Sequence, residues 1–236
     1  MNQNAILIFA RDLHLERSHG DEPFASLPWD ALDLLASAIL SDLIENALRV
    51  PKTDVLLFRD PKRRVDEALL RFHSEVGFRD SHAPLFGSMV QGAVQETFDE
   101  GYQRVIVVLD NQPTYTPRMF QRLFSQLGYE HECLVVGPTV EGRCYLIGMK
   151  SDYHDLFDSQ QFDPTVRPYE LLKRVCALPC ELFLAHERYL LETGYNLERL
   201  KNELGVPGEK SNGYPYRTGE VFRQFERKYR LKYSLR

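Results

Sequence analysis

The chain of 236 residues is poor in cysteine, has one tryptophan and lacks any glycine-rich phosphate loop. Each shortage removes a class of protein. Its four cysteines, Cys133, Cys144, Cys176 and Cys180, have no CxxC spacing, which excludes a disulfide scaffold and a zinc ribbon. The expectation is reduced thiols in a cytoplasmic protein. Cys176 and Cys180 would share a helix face only if the helix ran through Pro179, so they read as packing or surface positions. No apolar run reaches the ~18 residues of a membrane helix. The opening MNQNAILIFARD is interrupted too early for a signal peptide. The first apolar run is followed by neither GxGxxG nor GxxxxGK[ST], which disfavours dinucleotide-binding and P-loop readings. No internal repeat is present.

Charge is uneven. Residues 209–236 carry eight Lys and Arg against three Glu, whereas residues 1–208 carry 21 basic against 31 acidic residues. A body of net charge −10 has no basic stripe fit to hold nucleic acid, which is not an expected partner.

What the sequence does have is alternation. Runs rich in Val, Ile, Leu and Phe at 5–10, 54–59, 104–110, 133–137, 145–149 and 180–186 predict strands. The first three are apolar on both faces, as in a parallel sheet covered by helices. Helical patterns occupy 29–48, 64–72, 86–100, 117–127, 168–177 and 197–204, and Trp29 is expected to pack under the first of them. Pro117 suits a first helical turn behind a Thr116 cap. The predicted fold class is α/β: a doubly wound, mostly parallel sheet with helices on both faces over residues 1–205, plus a C-terminal appendage over 206–236.

In such sheets ligands bind outside the carboxyl ends of the strands. After the first strand comes Arg11, then a loop whose His14, Glu16 and His19 read as solvated rather than ligating. Asp110 and Asn111 end the third central strand, where an Asp is placed to hold a divalent cation against a diphosphate, or only to shape the turn. The stretch GPTVEGRCYLIG places Gly137, Pro138 and Gly142 around Glu141, a carboxylate able to bind a sugar hydroxyl or act as a base, or merely part of a glycine-rich hairpin. His82 and His186 have no neighbour in the sequence that would activate them.

Four blocks in order, AILIFARD, FGSMVQGAVQETFDEGYQRVIVVLDNQP, LVVGPTVEGRCYLIGM and LLETGYNLERL, resemble the bacterial selenodomain-associated glycosyltransferase-like proteins. These belong to the GT-A nucleotide-diphospho-sugar transferase superfamily and are related to 2-phospholactate guanylyltransferase. The resemblance spans about residues 5–204 and implies a GT-A-like fold with a nucleotide or nucleotide sugar as ligand. It also implies a Mg or Mn ion, if the protein is active, held by Asp110 and Glu192. Arg11 and Arg143 would meet phosphate, with Asn111, Gly137, Pro138 and Gly142 around the nucleotide and Glu141 toward the acceptor. The departures follow a pattern. The family's Gly-x-Val-Lys-Thr-Arg cluster is missing, its metal-binding Asp falls on Asn111, and Glu141 and Glu192 stand where the family has Asp. Turn residues are kept while charged groups change. The function expected is therefore a glycosyl- or nucleotidyltransferase with an eroded donor site, or a catalytically inactive binding or scaffold protein on the same frame.

The tail interleaves basic and aromatic residues, a pattern that binds single-stranded nucleic acid. Phe222, Phe225 and Tyr229, however, repeat at i, i+3 and i+7, the stripe of a docking helix. That helix is expected to seat on the acidic body of its own chain or of a homodimer partner.

Overall fold

The computed structural model describes residues 2–10, 27–61, 67–157, 170–205 and 215–229. Arg11, the histidines of the first loop and Tyr233 lie outside them. Seven strands form one sheet: β1 (Asn4–Phe9), β2 (Thr53–Arg59), β3 (Gly77–Asp80), β4 (Arg104–Val108), β5 (Cys133–Pro138), β6 (Cys144–Met149) and β7 (Glu181–Leu184). The helices are α1 (Trp29–Leu48), α2 (Glu67–Leu70), α3 (Phe86–Asp99), α4 (Pro117–Gln126), α5 (Glu170–Cys176), α6 (Gly194–Gly205) and α7 (Tyr216–Tyr229), with a 3-10 turn at His154–Phe157.

Strand order is β3-β2-β1-β4-β6-β5-β7, and β6 alone runs antiparallel, because a tight hairpin joins it to β5. The other four pairings, β1 with β2 and β4, β2 with β3, and β5 with β7, are all parallel. The chain thus winds outward from β1 to β3, returns, and starts again at β4. Strand order reverses between β1 and β4.

Alternation along β1 sends Ile6 and Ile8 to one face and Ala5, Leu7 and Phe9 to the other, all buried. The first face meets Leu40, Leu43 and Ile44 of α1 and Phe120, Leu123 and Phe124 of α4. The second meets Val90, Ala93 and Val94 of α3 and Leu171 and Val175 of α5. Helix α4 starts as expected, with Pro117 in the first turn and the Thr116 Oγ accepting from the Met119 N–H at 3.2 Å.

Two features differ from the sequence reading. The apolar-run criterion misses β3, an edge strand whose residues are half-buried or exposed and whose Arg79 pairs with Glu96 and Glu100. Trp29 is not under its helix: it is 62% exposed, and Leu27, Leu32 and Leu35 fill the space beneath.

A third cluster lies away from the sheet. Val221, Phe222 and Phe225 of α7 pack with Leu32, Leu35 and Ile39 of α1 and Leu197 and Leu200 of α6. Phe222 and Phe225 of the tail's apolar stripe are thereby buried within their own chain. No N-cap residue precedes α7, since Pro215 stands there. The cap comes instead from Asp42 of α1, only 3% exposed. Its carboxylate accepts from the Thr218 N–H and hydroxyl at 2.8 Å each, and from the Arg217 N–H at 3.3 Å. Arg217 also pairs with Asp42 and Glu45.

Candidate functional site

The carboxyl ends of β1 and β4 flank the point where strand order reverses, the position at which open α/β sheets bind ligands. Asn111 spans it. Its side-chain amide donates to the Phe9 carbonyl at 2.8 Å and so ties the loop after β4 to the last residue of β1. A carboxylate, which only accepts, cannot make that bond. Phe9 itself lies in an aromatic floor, stacked on Phe58 with centroids 5.5 Å apart and met edge-on by Phe86 at 5.4 Å.

Asp110 is half-buried. Its N–H donates to the Tyr145 carbonyl at 3.1 Å and its carbonyl accepts from the Tyr115 hydroxyl at 2.9 Å. Its Oδ2 accepts from the Gln112 amide at 2.8 Å. The same Gln112 nitrogen donates to the Tyr189 carbonyl, and its oxygen accepts from Arg188 at 3.4 Å. Gln112 is 3% exposed, so this side chain is a buried junction between the loops after β4 and β7.

The β5–β6 hairpin forms the next wall. Its turn closes by the Gly142 N–H donating to the Thr139 carbonyl at 2.9 Å. Gly142 sits at φ 79°, a conformation that a side chain disfavours. Gly137 is required for another reason: a Cβ there would lie 2.4 Å from Cζ of Tyr145, whose ring rests on the glycine. Pro138 accepts the Arg188 N–H at 3.1 Å, which binds the hairpin to the segment after β7. Glu141 points back into that segment. Its Oε1 accepts from the Leu190 N–H at 3.3 Å, while Oε2 is buried without a hydrogen-bond partner among the described residues.

Arg143 and Glu192 face each other across the same junction, Nη1 to Oε1 at 2.5 Å, with side chains 15% and 32% exposed. The residue expected on phosphate and the residue expected on a cation thus neutralise one another. Glu192 is carried just ahead of α6, where the Thr193 hydroxyl caps the Asn196 N–H at 3.1 Å.

A family model described as "Uncharacterized protein conserved in bacteria (DUF2064)" matches residues 43–163, just over half of the chain. The chain belongs to the DUF2064 family. The matched span contains Asp110, Asn111 and the whole hairpin, and excludes Arg188 and Glu192. No curated protein matches the sequence. Among solved structures, this DUF2064 chain is similar to a provisionally named nucleotide-diphospho-sugar transferase from Desulfovibrio desulfuricans G20, at 19% identity, 96% coverage of both chains and a TM-score of 0.73. It also resembles a cytidylyltransferase from Leptospira borgpetersenii, at 11% identity over all of both chains and a TM-score of 0.53. A third is CMP:2-keto-3-deoxy-manno-octonic acid synthetase, solved with CTP, at 13% identity, coverage of 85% and 97%, and a TM-score of 0.51. At these identities the likeness is one of fold: that of nucleotide-diphospho-sugar transferases and cytidylyltransferases.

Within this DUF2064 fold, Gly137 and Pro138 are the last residues of β5, and the candidates Asp110, Asn111, Glu141, Gly142, Arg143 and Glu192 lie on loops at the same, carboxyl end of the sheet. Arg11 lies outside the described residues. A divalent cation needs several oxygen ligands converging on one point. Here the Asn111 amide holds Phe9, Glu192 holds Arg143 and one Asp110 oxygen holds Gln112. Among the described residues no three His, Cys, Asp or Glu gather to hold a metal. These residues do not fit the cation.

Sequence reading missed Arg188. It lies between two unremarkable runs, and no motif flags it. In the fold its guanidinium lies over the rings of Tyr115 and Tyr145, 5.0 and 5.6 Å from their centroids. Nη1 donates to the Thr114 hydroxyl at 2.5 Å.

Proposed function

We propose that this chain binds a nucleotide or nucleotide sugar at the carboxyl ends of β1 and β4, and does so without a divalent cation held by its carboxylates. It is then a protein of the nucleotide-diphospho-sugar transferase fold with an altered donor site, of the kind suggested by its resemblance to selenodomain-associated glycosyltransferase-like proteins. The observation that carries this reading is the Arg143–Glu192 ion pair, which engages the expected cation ligand with a cation from the protein itself. The CTP bound by the similar synthetase supports a nucleotide as the ligand class, by analogy of fold. Arg11, two residues after the last residue of β1 in the sequence, is the phosphate contact that the resemblance implies.

Calorimetric titration tests this. In EDTA, at least one of CTP, GTP, UDP-glucose or GDP-mannose should give binding heat, and adding Mg²⁺ or Mn²⁺ should change its affinity by less than tenfold. No heat at millimolar ligand, or heat only with metal, overturns the proposal.

A second reading is retained transfer, glycosyl or nucleotidyl, the latter as in 2-phospholactate guanylyltransferase. The unpartnered buried Oε2 of Glu141 favours it, because an acceptor hydroxyl would supply the missing donor. Release of nucleoside diphosphate or of pyrophosphate, abolished in Glu141→Gln with the fold intact, would establish that reading.

A further inference from the structure

Arg188 is half-buried, and no carboxylate lies within ion-pair distance of it among the described residues. Its contacts are neutral: the Thr114 hydroxyl, the Gln112 amide oxygen at 3.4 Å, the Met119 sulfur at 3.7 Å and two tyrosine rings. Its Nε is buried with no hydrogen-bond partner among the described residues. Withdrawing a guanidinium from water without a counter-ion is costly. An anion brought from outside the chain would offset that cost.

The backbone is fixed as firmly as the side chain. The Arg188 N–H donates to the Pro138 carbonyl, and its carbonyl accepts from the Val140 N–H at 2.9 Å. Thr139 and Arg188 form an isolated parallel bridge. The loop after β4, the β5–β6 hairpin and the segment after β7 therefore all converge on this residue. The acidic group joined to it, Asp110, is one amide away through Gln112.

We propose that Arg188 is an anion-binding residue that meets the phosphate groups of the ligand, supplying the fixed positive charge that a divalent cation would otherwise provide. The inference rests on the nucleotide reading for its ligand class. The chemistry suits it: a guanidinium is planar and always charged, binds phosphate oxygens through directed N–H groups, and stacks on aromatic faces that fix its orientation. Its charge is felt at the site. Burial pushes the Tyr115 and Tyr145 hydroxyls up, and Arg188 opposes that rise at both.

The test uses the full chain in EDTA, titrated with inorganic pyrophosphate, CTP, GTP, cytidine and guanosine. The wild type should bind pyrophosphate and prefer a nucleotide to its nucleoside. Arg188→Gln should lose at least tenfold in affinity for every phosphate-bearing ligand and change nucleoside affinity by less than twofold. Equal phosphate affinity in Arg188→Gln overturns the role of Arg188 and leaves metal-free nucleotide binding standing. Pyrophosphate binding that depends on Arg188, without binding of any nucleotide, does the reverse. A wild type that binds neither overturns both. Should Arg188→Gln fail to fold, phenylglyoxal modification of the wild type decides. Pyrophosphate should slow modification of Arg188 at least fivefold, read by peptide mass spectrometry, and leave the surface residues Arg49 and Arg223 unchanged. Absence of protection overturns the proposal.

Discussion

Asn111 illustrates how one atom changes the meaning of a position. Aligned by resemblance, it is where a metal-binding Asp is expected. In the fold its amide is a donor that bonds the Phe9 carbonyl at 2.8 Å and joins the two strands flanking the switch point. Asn111→Asp should therefore lower stability by about 1–3 kcal/mol, since it removes the donor and sets a carboxylate against a carbonyl. Urea denaturation measures this, and an unchanged midpoint would contradict the clamp. Gly137 is constrained by contact rather than by chemistry. With a Cβ at 2.4 Å from the Tyr145 ring, Gly137→Ala must displace a fully buried side chain. A loss of about 1–3 kcal/mol is expected from such overpacking. The ring hydroxyl donates to the His186 carbonyl at 2.9 Å, so the same substitution should disturb the segment leading to Arg188, visible as a weakened response to pyrophosphate.

Helix α7 shows the same at the level of an element. Its stripe, Phe222 and Phe225, is legible as a docking face from spacing alone. Its start is not, because the cap belongs to a helix about 170 residues earlier in the chain. Asp42 satisfies the orphan N–H groups of Arg217 and Thr218, and its negative charge suits a helix N-terminus. Asp42→Ala should cost about 1.5–3 kcal/mol, the range of hydrogen bonds to a charged group, whereas Phe225→Ala should cost about 3–5 kcal/mol. Chemical denaturation of both variants checks the ranking. Acid should act at this joint. Burial raises the Glu45 carboxyl, but the hydrogen bond and charge of Arg217, with Arg49 and Arg71, outweigh it and hold Glu45 below its ordinary 4.5. The folded value is the lower one, so this stabilisation is complete above pH 4.5 and fades as pH falls through the folded value. Protease susceptibility near α7 should rise over that window before the sheet melts.

At the scale of the molecule, three cores share one polypeptide, and each contains a buried tyrosine. Tyr115 lies on one face of the sheet, Tyr102 on the other and Tyr189 in the cluster under α7. Burial is the main cause that raises all three, reinforced by Asp110 at Tyr115, by Asp54 at Tyr102 and by Glu203 at Tyr189. A tyrosine whose folded value is raised binds its proton more tightly when folded. Stability is then fully present below the unfolded value of 10 and is lost as pH rises above it. The melting temperature should fall steeply above pH 10, and the phenolate absorbance of these residues should appear together with unfolding. A phenolate titration complete near pH 10 in the folded protein would contradict the burial of the three rings. Ion pairs of both polarities join α7 to the body: Arg217 of the tail with Asp42 and Glu45, and Lys201 of the body with Glu226 of the tail at 2.7 Å.

Periodicity and short-range chemistry determined the α/β class, most strands and helices, the capped start of α4 and the turn residues of the hairpin, because each depends on neighbours within a few positions. Residue order also marked Asp110, Glu141, Arg143 and Glu192 as candidates. Only tertiary structure decided what their charges face. The Arg143–Glu192 pair joins residues 49 positions apart, and the Asp110–Gln112–Arg188 chain spans 78, separations at which spacing carries no information. Trp29 and β3 were misread for the same reason: exposure at an edge or a helix start is set by what packs nearby, and that is a property of the folded chain.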